Sequence, residues 1–276
     1  MNKKIARSAL SISIAVFISR ILGFIRDMVI AKFFGATGLS DAFLVAFRIP
    51  NLLRELFAEG SMTAGLVPVL SQVKQERSEQ EAVKLIRIVF TILSLLLSVI
   101  CSLGIVYAPD LVKLIAPGFT DYPDKFRDTV LLTRIMFPFL LFVSLSAVVM
   151  GALNSKKVFF VPFLATSWFN ICSIVMVAGF YSFFQKPIIS VALGVTIGGI
   201  VQFASQIPSF IKNGYSLRPC FNFFDKYVKR IGILILPTIF GTSVSQLSVF
   251  ISTTLASFLA TGSVTYLYYS FRLIQF

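Results

Sequence analysis

Among the arginines that lie within otherwise apolar stretches of the sequence, four have chemistry that suits an anion, namely Arg20, Arg26, Arg54 and Arg272, whereas Arg48 can pair with Glu55 or Glu59. A charged side chain at the centre of a membrane helix costs roughly 2.5–3.5 kcal/mol, so such a residue normally has a partner or a function. The acids placed to pair with them are Asp27 and Glu59, which leaves positive charge in excess. Guanidinium groups bind phosphate and carboxylate through paired hydrogen bonds and stay charged. We therefore predict a binding site for a phosphate-type or carboxylate ligand.

The alternative interpretation is that these charges only hold helices together. Arg20 and Asp27 are seven residues apart, which places them on one helix face, where packing against another helix could satisfy both. The two interpretations differ in what the excess arginines contact, a ligand in the first case and neighbouring helices in the second.

The composition excludes several classes of function. The chain has no histidine, which excludes imidazole metal ligands and histidine acid–base catalysis. The spacing of its three cysteines matches neither zinc sites nor disulfide frameworks, and it has no Walker-type glycine loop. We therefore expect no metal, no cofactor and no enzyme activity. A net charge of +13 would favour nucleic acid in a soluble protein, but 57% of the residues are hydrophobic, so we predict a membrane and no nucleic acid.

Long uncharged stretches predict the elements that position the arginines. A membrane helix needs about 20 residues to cross a hydrocarbon core of about 30 Å. The uncharged stretches are 88–109, 135–155, 158–185, 187–211 and 231–271, the last of them divided at Gly262 and Ser263. Two apolar stretches that contain charges, 8–34 and 40–73, complete the set. The pattern predicts an all-α, polytopic transmembrane helix bundle with seven complete helices and the beginning of an eighth, and we expect it to be part of a longer protein.

Lysine and arginine are concentrated in alternate connections between these stretches. They cluster at the N-terminus and in 74–87, 156–157 and 212–230. Cytoplasmic connections carry the excess of positive charge in membrane proteins. We therefore predict a multi-pass protein with a cytoplasmic N-terminus.

Two segments of thirteen residues resemble each other. Both 36–48 and 260–272 begin Ala-Thr-Gly and end Phe-Arg. Chance is one explanation for this similarity in membrane-biased sequence. Internal repeats of this kind also mark the two halves of transporters. On the second interpretation the chain divides into an N-lobe of six helices (1–211), a cytoplasmic linker (212–230) and the start of a pseudo-symmetric C-lobe with a seventh and a truncated eighth helix (231–276).

Several motifs resemble one known family. They are Ser-Arg-Ile-Leu-Gly-Phe-Ile-Arg-Asp at 19–27, Asp-Ala-Phe-Leu-Val-Ala-Phe-Arg at 41–48, Pro-Asn-Leu-Leu-Arg at 50–54 and Phe-Ala-Glu-Gly at 57–60. These strings are similar to those of the lipid II flippases called MurJ or MviN, within the multidrug/oligosaccharidyl-lipid/polysaccharide exporter superfamily. The similarity continues through Gly-Ala-Leu-Asn at 151–154 and Gln-Ile-Pro at 206–208, and so extends over essentially the whole chain.

The resemblance implies a substrate and a set of functional residues. The substrate would be undecaprenyl-diphosphate carrying the disaccharide-pentapeptide of peptidoglycan, moved across the bacterial cytoplasmic membrane by alternating access, with an ion gradient or the membrane potential as the driving force. Arg20, Arg26, Arg54 and Arg272 would line a central cavity. Asp27 and Glu59 would position those arginines or take part in gating, and Asp41 would be a further acid near one end of the second helix. Many members have Asp where Phe271 stands and Glu where Gln275 stands, so a gate contact at those positions is not expected here.

Two other functions are compatible with parts of the pattern. The first is export of another lipid-linked oligosaccharide or of drugs within the same superfamily, although a drug exporter does not need an excess of arginines. The second is an intramembrane enzyme that acts on polyprenyl diphosphates, which would need an acid-rich metal site. The isolated Asp27 and Asp41 do not make such a site.

Overall fold

A computed structural model describes residues 3–57 and 61–274, and every regular element in these ranges is helical. The ten α-helices described are α1 (Lys3–Phe34), α2 (Gly38–Phe57), α3 (Ser61–Glu76), α4 (Glu79–Val106), α5 (Ala108–Ile115), α6 (Pro123–Ser155), α7 (Phe160–Phe180), α8 (Ile188–Lys212), α9 (Lys226–Ser257) and α10 (Ser263–Ile274). Short 3-10 turns at Pro117–Asp121 and Tyr181–Phe183 precede α6 and follow α7. The prediction of an all-α bundle is confirmed.

Five of the described helices are long and apolar enough to cross a membrane. They are α4, α6, α7 with its following turn, α8 and α9. A helix of 25 residues, such as α8, is longer than the roughly 20 residues that a hydrocarbon core requires. The chain therefore has the architecture of a multi-pass membrane protein.

The stretch 40–73, for which the sequence predicts one helix, is helical on both sides of residues 58–60, in α2 (Gly38–Phe57) and α3 (Ser61–Glu76). Residues 58–60 lie outside the described residues, so one continuous helix over 40–73 stays a prediction. Pro50 lies inside α2 and does not end it. Helix α9 also begins earlier than its uncharged stretch, at Lys226, because the side chain of Asp225 accepts the Tyr227 N–H and caps the first turn.

Helix α6 is the centre of the bundle. Its apolar segment is 72% buried, more than that of any other candidate membrane helix in the described ranges. One apolar cluster packs it against α3, α4 and α5, and a second packs it against α1, α2 and α8. The arginine-bearing helices α1 and α2 are thereby fixed on one side of α6.

Small residues allow α7 and α8 to pack closely. A Cβ atom added at Gly198 would lie 3.0 Å from the backbone oxygen of Phe169, and one at Gly194 would lie 3.0 Å from Cα of Ser173. Glycine at such positions lets the backbones of membrane helices approach each other. This contact holds Phe169 and the neighbouring Asn170 of α7 in place beside α1.

Candidate functional site: a cavity lined by arginines

A cavity of about 530 Å³ lies among α1, α2, α6, α7, α8, α9 and α10. Five of the residues that line it are arginines, and Glu55 is the acid among its described lining residues. The arginines are Arg20, Arg26, Arg48, Arg54 and Arg272. The structure therefore brings together all four arginines that the sequence singled out, and adds a fifth.

Asp27 joins two of these arginines from different helices. Arg26 donates to its Oδ1 from Nε at 3.0 Å and from Nη2 at 2.7 Å. Arg272 of α10 donates from Nε to its Oδ2 at 2.8 Å. Asp27 is only 5% exposed, so its charge is removed from water and requires these donors. The three groups together carry one positive charge in excess, and they tie α1 to α10.

Helix α7 holds Arg26 in position through Asn170. Nη1 of Arg26 donates to the Asn170 Oδ1 at 3.2 Å, and the guanidinium lies 5.4 Å above the centroid of the Phe169 ring. The amide nitrogen of Asn170 donates in turn to the backbone oxygen of Ser19 at 3.2 Å. Arg26 is thus held by Asp27 on its own helix and by α7, which restricts its orientation at the cavity wall.

Arg54 lies in a polar network that joins α2 to α9. Its Nε donates to the Asn51 Oδ1 at 3.0 Å, and its Nη2 lies 3.6 Å from the Glu55 Oε1. Glu55 accepts a hydrogen bond from Asn51 Nδ2 at 2.7 Å and another from Gln246 of α9. The Arg54 and Glu55 side chains are about one-fifth to one-quarter exposed, so part of their mutual attraction is screened by water. Arg54 and Glu55 thus belong to a polar network that links two helices lining the cavity.

Asp41 caps the beginning of α10. Its Oδ1 accepts the Thr265 backbone N–H at 3.0 Å and the Thr265 hydroxyl at 2.7 Å, and its Oδ2 accepts the Gly262 N–H at 2.7 Å. Lys125 of α6 donates to Oδ2 at 2.9 Å. A carboxylate at a helix N-terminus is favoured by the free N–H groups and by the helix dipole. Asp41 is 1% exposed and so binds α2, α6 and α10 together without contact with the cavity.

Close backbone contact accompanies this cap. Gly262 has φ of +94°, a conformation that favours glycine, and a Cβ added there would lie 2.8 Å from the Ala36 backbone oxygen. The beginnings of the two similar segments, 36–48 and 260–272, therefore meet directly. Their ends face the same cavity, which is lined by Phe47, Arg48, Phe271 and Arg272.

The predicted site residues fall into three groups. Arg20, Arg26, Arg54 and Arg272 line the cavity, while Asp27 and Asp41 anchor α10 at its two ends. Glu59 lies outside the described residues. From the sequence, Arg48 is interpreted as a structural residue paired with Glu55 or Glu59, and the neutral polar residues Asn170 and Gln246 are not singled out. The repeat contained a signal for Arg48, because it aligns this residue with Arg272.

Residues 30–276 match the sequence model of the family described as "Lipid II flippase MurJ". The chain belongs to this family. It is 38% identical over 277 residues to the "Probable lipid II flippase MurJ" of Buchnera aphidicola subsp. Baizongia pistaciae, with 99% of this chain and 53% of that protein covered. It is 35% identical to the "Lipid II flippase MurJ" of Burkholderia cenocepacia over 98% of this chain and 53% of that protein. The chain therefore spans about half the length of the curated relatives it matches.

Solved structures give the same family and fold. A structure described as "Lipid II flippase MurJ, inward closed conformation" superposes with a TM-score of 0.81 at 31% identity, over 96% of this chain and 54% of that one. A transporter of the exporter superfamily from Pyrococcus furiosus superposes with a TM-score of 0.72 at 14% identity, which supports the fold alone. The resemblance read from the sequence is confirmed, and so is the fold class.

The Asp41 contacts generate a stability prediction. We expect Asp41→Asn to lower the unfolding free energy by about 3 kcal/mol, because it leaves Lys125, whose side chain is only 13% exposed, without its counter-charge and removes an acceptor from the α10 cap. Thermal unfolding in detergent, followed by the fluorescence of Trp168, would show a lower midpoint.

The matched control is Asp124→Asn. Asp124 is an exposed acid in the first turn of α6, and substitutions at such surface positions change stability by about 0.5 kcal/mol or less. Equal midpoints for the Asp41 and Asp124 variants would contradict the role given to Asp41.

Proposed function

We propose that this chain forms the N-terminal part of a flippase that moves lipid II from the inner to the outer leaflet of the bacterial cytoplasmic membrane. The observation that carries the proposal is the excess of arginine over acid around the cavity, in a chain of the lipid II flippase family. A diphosphate needs replacements for its water of hydration when it enters a membrane protein. Arginine supplies them as charge-assisted hydrogen bonds from a planar group that stays charged.

Arg26, Arg54 and Arg272 are the groups that would bind the diphosphate. They belong to α1, α2 and α10, so a ligand between them contacts three helices at once. Of the two arginines that form ion pairs with Asp27, Arg272 has the more exposed side chain, at 37% against 12% for Arg26. Arg272 therefore offers more free donors to a ligand than Arg26, which binds Asp27 through two of its nitrogens and also holds the wall of the cavity. Arg20 lines the same cavity and adds to its positive potential.

The size of the cavity limits what it holds in this conformation. A volume of about 530 Å³ suits a drug-sized group, hence the diphosphate with the adjoining sugar. The lipid chains would stay in the bilayer, and the cavity would have to widen for the remaining headgroup. That requirement favours alternating access, in which an N-lobe (1–211) and a C-lobe beginning at 231 rock about the site across a cytoplasmic linker (212–230).

Asp41 and Asp27 suit the role of gate contacts. Each connects α10 to helices of the proposed N-lobe, and each would have to release its donors when the lobes separate at that level. Breaking several charge-assisted hydrogen bonds at once requires a compensating source of free energy. We assign that source to an ion gradient or the membrane potential, with the N-terminus in the cytoplasm as the charge distribution of the loops indicates.

The second candidate is export of another lipid-linked oligosaccharide or of a drug by the same fold. The arginine excess favours a diphosphate-linked substrate over an uncharged or cationic drug, since burying a cation beside five arginines would be repulsive. An enzyme acting on polyprenyl diphosphates is disfavoured, because Asp27 and Asp41 already accept hydrogen bonds on both oxygens and lie on opposite ends of α10.

Replacement of the cavity arginines tests the proposal. In cells depleted of their own flippase and supplied with the full-length protein, we expect wild type to restore outer-leaflet lipid II. Arg26→Ala and Arg54→Ala should be present in the membrane but inactive, because a buried phosphate loses a charged donor in each. The measurement is leaflet-resolved accessibility of lipid II, with membrane abundance determined for every variant.

Arg127→Ala is the control, since Arg127 is an exposed arginine at the start of α6 outside the cavity. Full activity of the cavity variants would show that their arginines are structural. Failure of wild type in an otherwise competent assay would instead favour the exporter.

Substitution of Glu55 should strengthen ligand binding, in contrast to substitution of the arginines. Glu55→Gln removes the carboxylate that competes for Arg54, so we expect tighter binding of an undecaprenyl-diphosphate lipid. Partly exposed ion pairs contribute about 0.2–1 kcal/mol, which corresponds to a dissociation constant lower by up to about fivefold. The dissociation constant of this lipid would be measured with the purified full-length protein in detergent. The control is Glu81→Gln, which removes an acid paired outside the cavity with Arg77 and Lys84 and should leave the dissociation constant unchanged. Weaker binding by the Glu55 variant would contradict the competition.

A further inference from the structure

The connection between α8 and α9, residues 213–225, exposes three closely spaced phenylalanines. Phe221, Asn222, Phe223 and Phe224 are all exposed, and the phenylalanines have 68%, 49% and 99% of their surface accessible, respectively. Removing such side chains from water is favourable, and exposed apolar surface of this kind marks an interaction site. We call residues 221–224 the aromatic segment.

Basic residues surround the aromatic segment. Arg218 precedes it, and Lys226, Lys229 and Arg230 follow it in the first turns of α9, all of them exposed. Within the ranges 3–57 and 61–274 none of these four side chains forms an ion pair. The acid among them, Asp225, is engaged as the cap of α9 through the Tyr227 N–H at 2.8 Å. The surface therefore combines apolar rings with uncompensated positive charge.

Hydrogen bonds to helix α4 keep this surface exposed. Nε of Arg87 donates to the backbone oxygen of Arg218 at 2.9 Å, and Nη2 donates to that of Pro219 at 3.3 Å. The N–H of Cys220 donates to the Thr91 hydroxyl at 3.0 Å. The residues just before the aromatic segment are thus fixed on α4, and the segment cannot turn inward to bury its own rings without losing these bonds.

The position of this connection indicates which molecules contact its exposed residues. It joins the ends of α8 and α9, both of which are long and apolar enough to span the membrane, so it lies at the level of the lipid headgroups. Lipid is present there whatever else the protein binds. Exposed aromatic rings beside lysine and arginine have the composition of segments that lie in the interface of anionic membranes.

We propose that the aromatic segment and its four cations bind anionic phospholipid headgroups. The phenylalanines enter the region between headgroups and acyl chains, and Arg218, Lys226, Lys229 and Arg230 bind the phosphates. This proposal is independent of the transported substrate. It predicts that the connection selects anionic over zwitterionic lipid, since each basic residue near an anionic surface contributes roughly a fivefold preference.

Tryptophan fluorescence in nanodiscs tests the proposal. Trp168 is the single tryptophan of this chain, so Trp168→Phe with Phe224→Trp places a reporter at the aromatic segment; any tryptophan elsewhere in the full-length protein is replaced likewise. Nanodiscs contain phosphatidylcholine and phosphatidylglycerol in equal amounts, with bromine on the acyl chains of only one of them. We expect blue-shifted emission and quenching about twofold stronger when phosphatidylglycerol carries the bromine. Phe221→Trp in the same background is the second reporter.

Two further variants test membrane contact and selectivity for anionic lipid separately. Phe183→Trp reports from a ring that is 84% exposed in the turn after α7, where the nearby Lys186 is paired with Asp128, so it should show no preference for brominated phosphatidylglycerol. Replacing Arg218, Lys226, Lys229 and Arg230 by Gln in the Phe224→Trp protein should abolish the preference and leave the quenching. Equal quenching by both lipids in the unneutralised protein would overturn the anionic selectivity. Emission typical of water, without quenching by either lipid, would overturn membrane binding and favour a protein partner at this surface.

Discussion

The rest of the site depends on the ion pairs that the Asp27 carboxylate forms with two arginines. The carboxylate is buried, and it accepts hydrogen bonds from Arg26 on its own helix and from Arg272 on α10. The charges deep in the apolar segment of α1, Arg20, Arg26 and Asp27, carry a nominal insertion cost of roughly 8–10 kcal/mol, which its apolar residues do not fully offset. Helix α1 therefore needs partners, and α7 and α10 provide them around Asp27. Removal of Asp27 would leave two arginines close together with no counter-charge.

A second buried carboxylate extends the same principle to the other end of α10. Asp41 holds the first turn of this helix, and Asp27 holds its last turn through Arg272. Helix α10 is twelve residues long in the described range and contributes little buried apolar surface. Its position is therefore set mainly by two acids on α1 and α2. Such a helix can be released by changing a few polar contacts, which is the property that a transporter requires of a gate.

The sequence predicted the features that depend on local composition. Uncharged stretches gave α4, α7 and α8, and charges in apolar sequence marked Arg20, Arg26, Arg54 and Arg272, because a charge in a membrane is costly enough to stand out in one dimension. It did not predict the roles of Asn170 and Gln246, because a neutral polar residue in a membrane helix has a low insertion cost and is common, and its partner is far away in the chain. Arg48 could have been found from its alignment with Arg272.

Recognition of a diphosphate by the arginine excess is tested most directly by comparing two lipids that differ in one phosphate. Binding of undecaprenyl diphosphate and undecaprenyl monophosphate to the purified full-length protein should be measured at several salt concentrations. We expect the diphosphate to bind more tightly and its advantage to shrink as salt screens the cavity charges. Equal affinities, unchanged by salt, would contradict it and leave the arginines as structural residues.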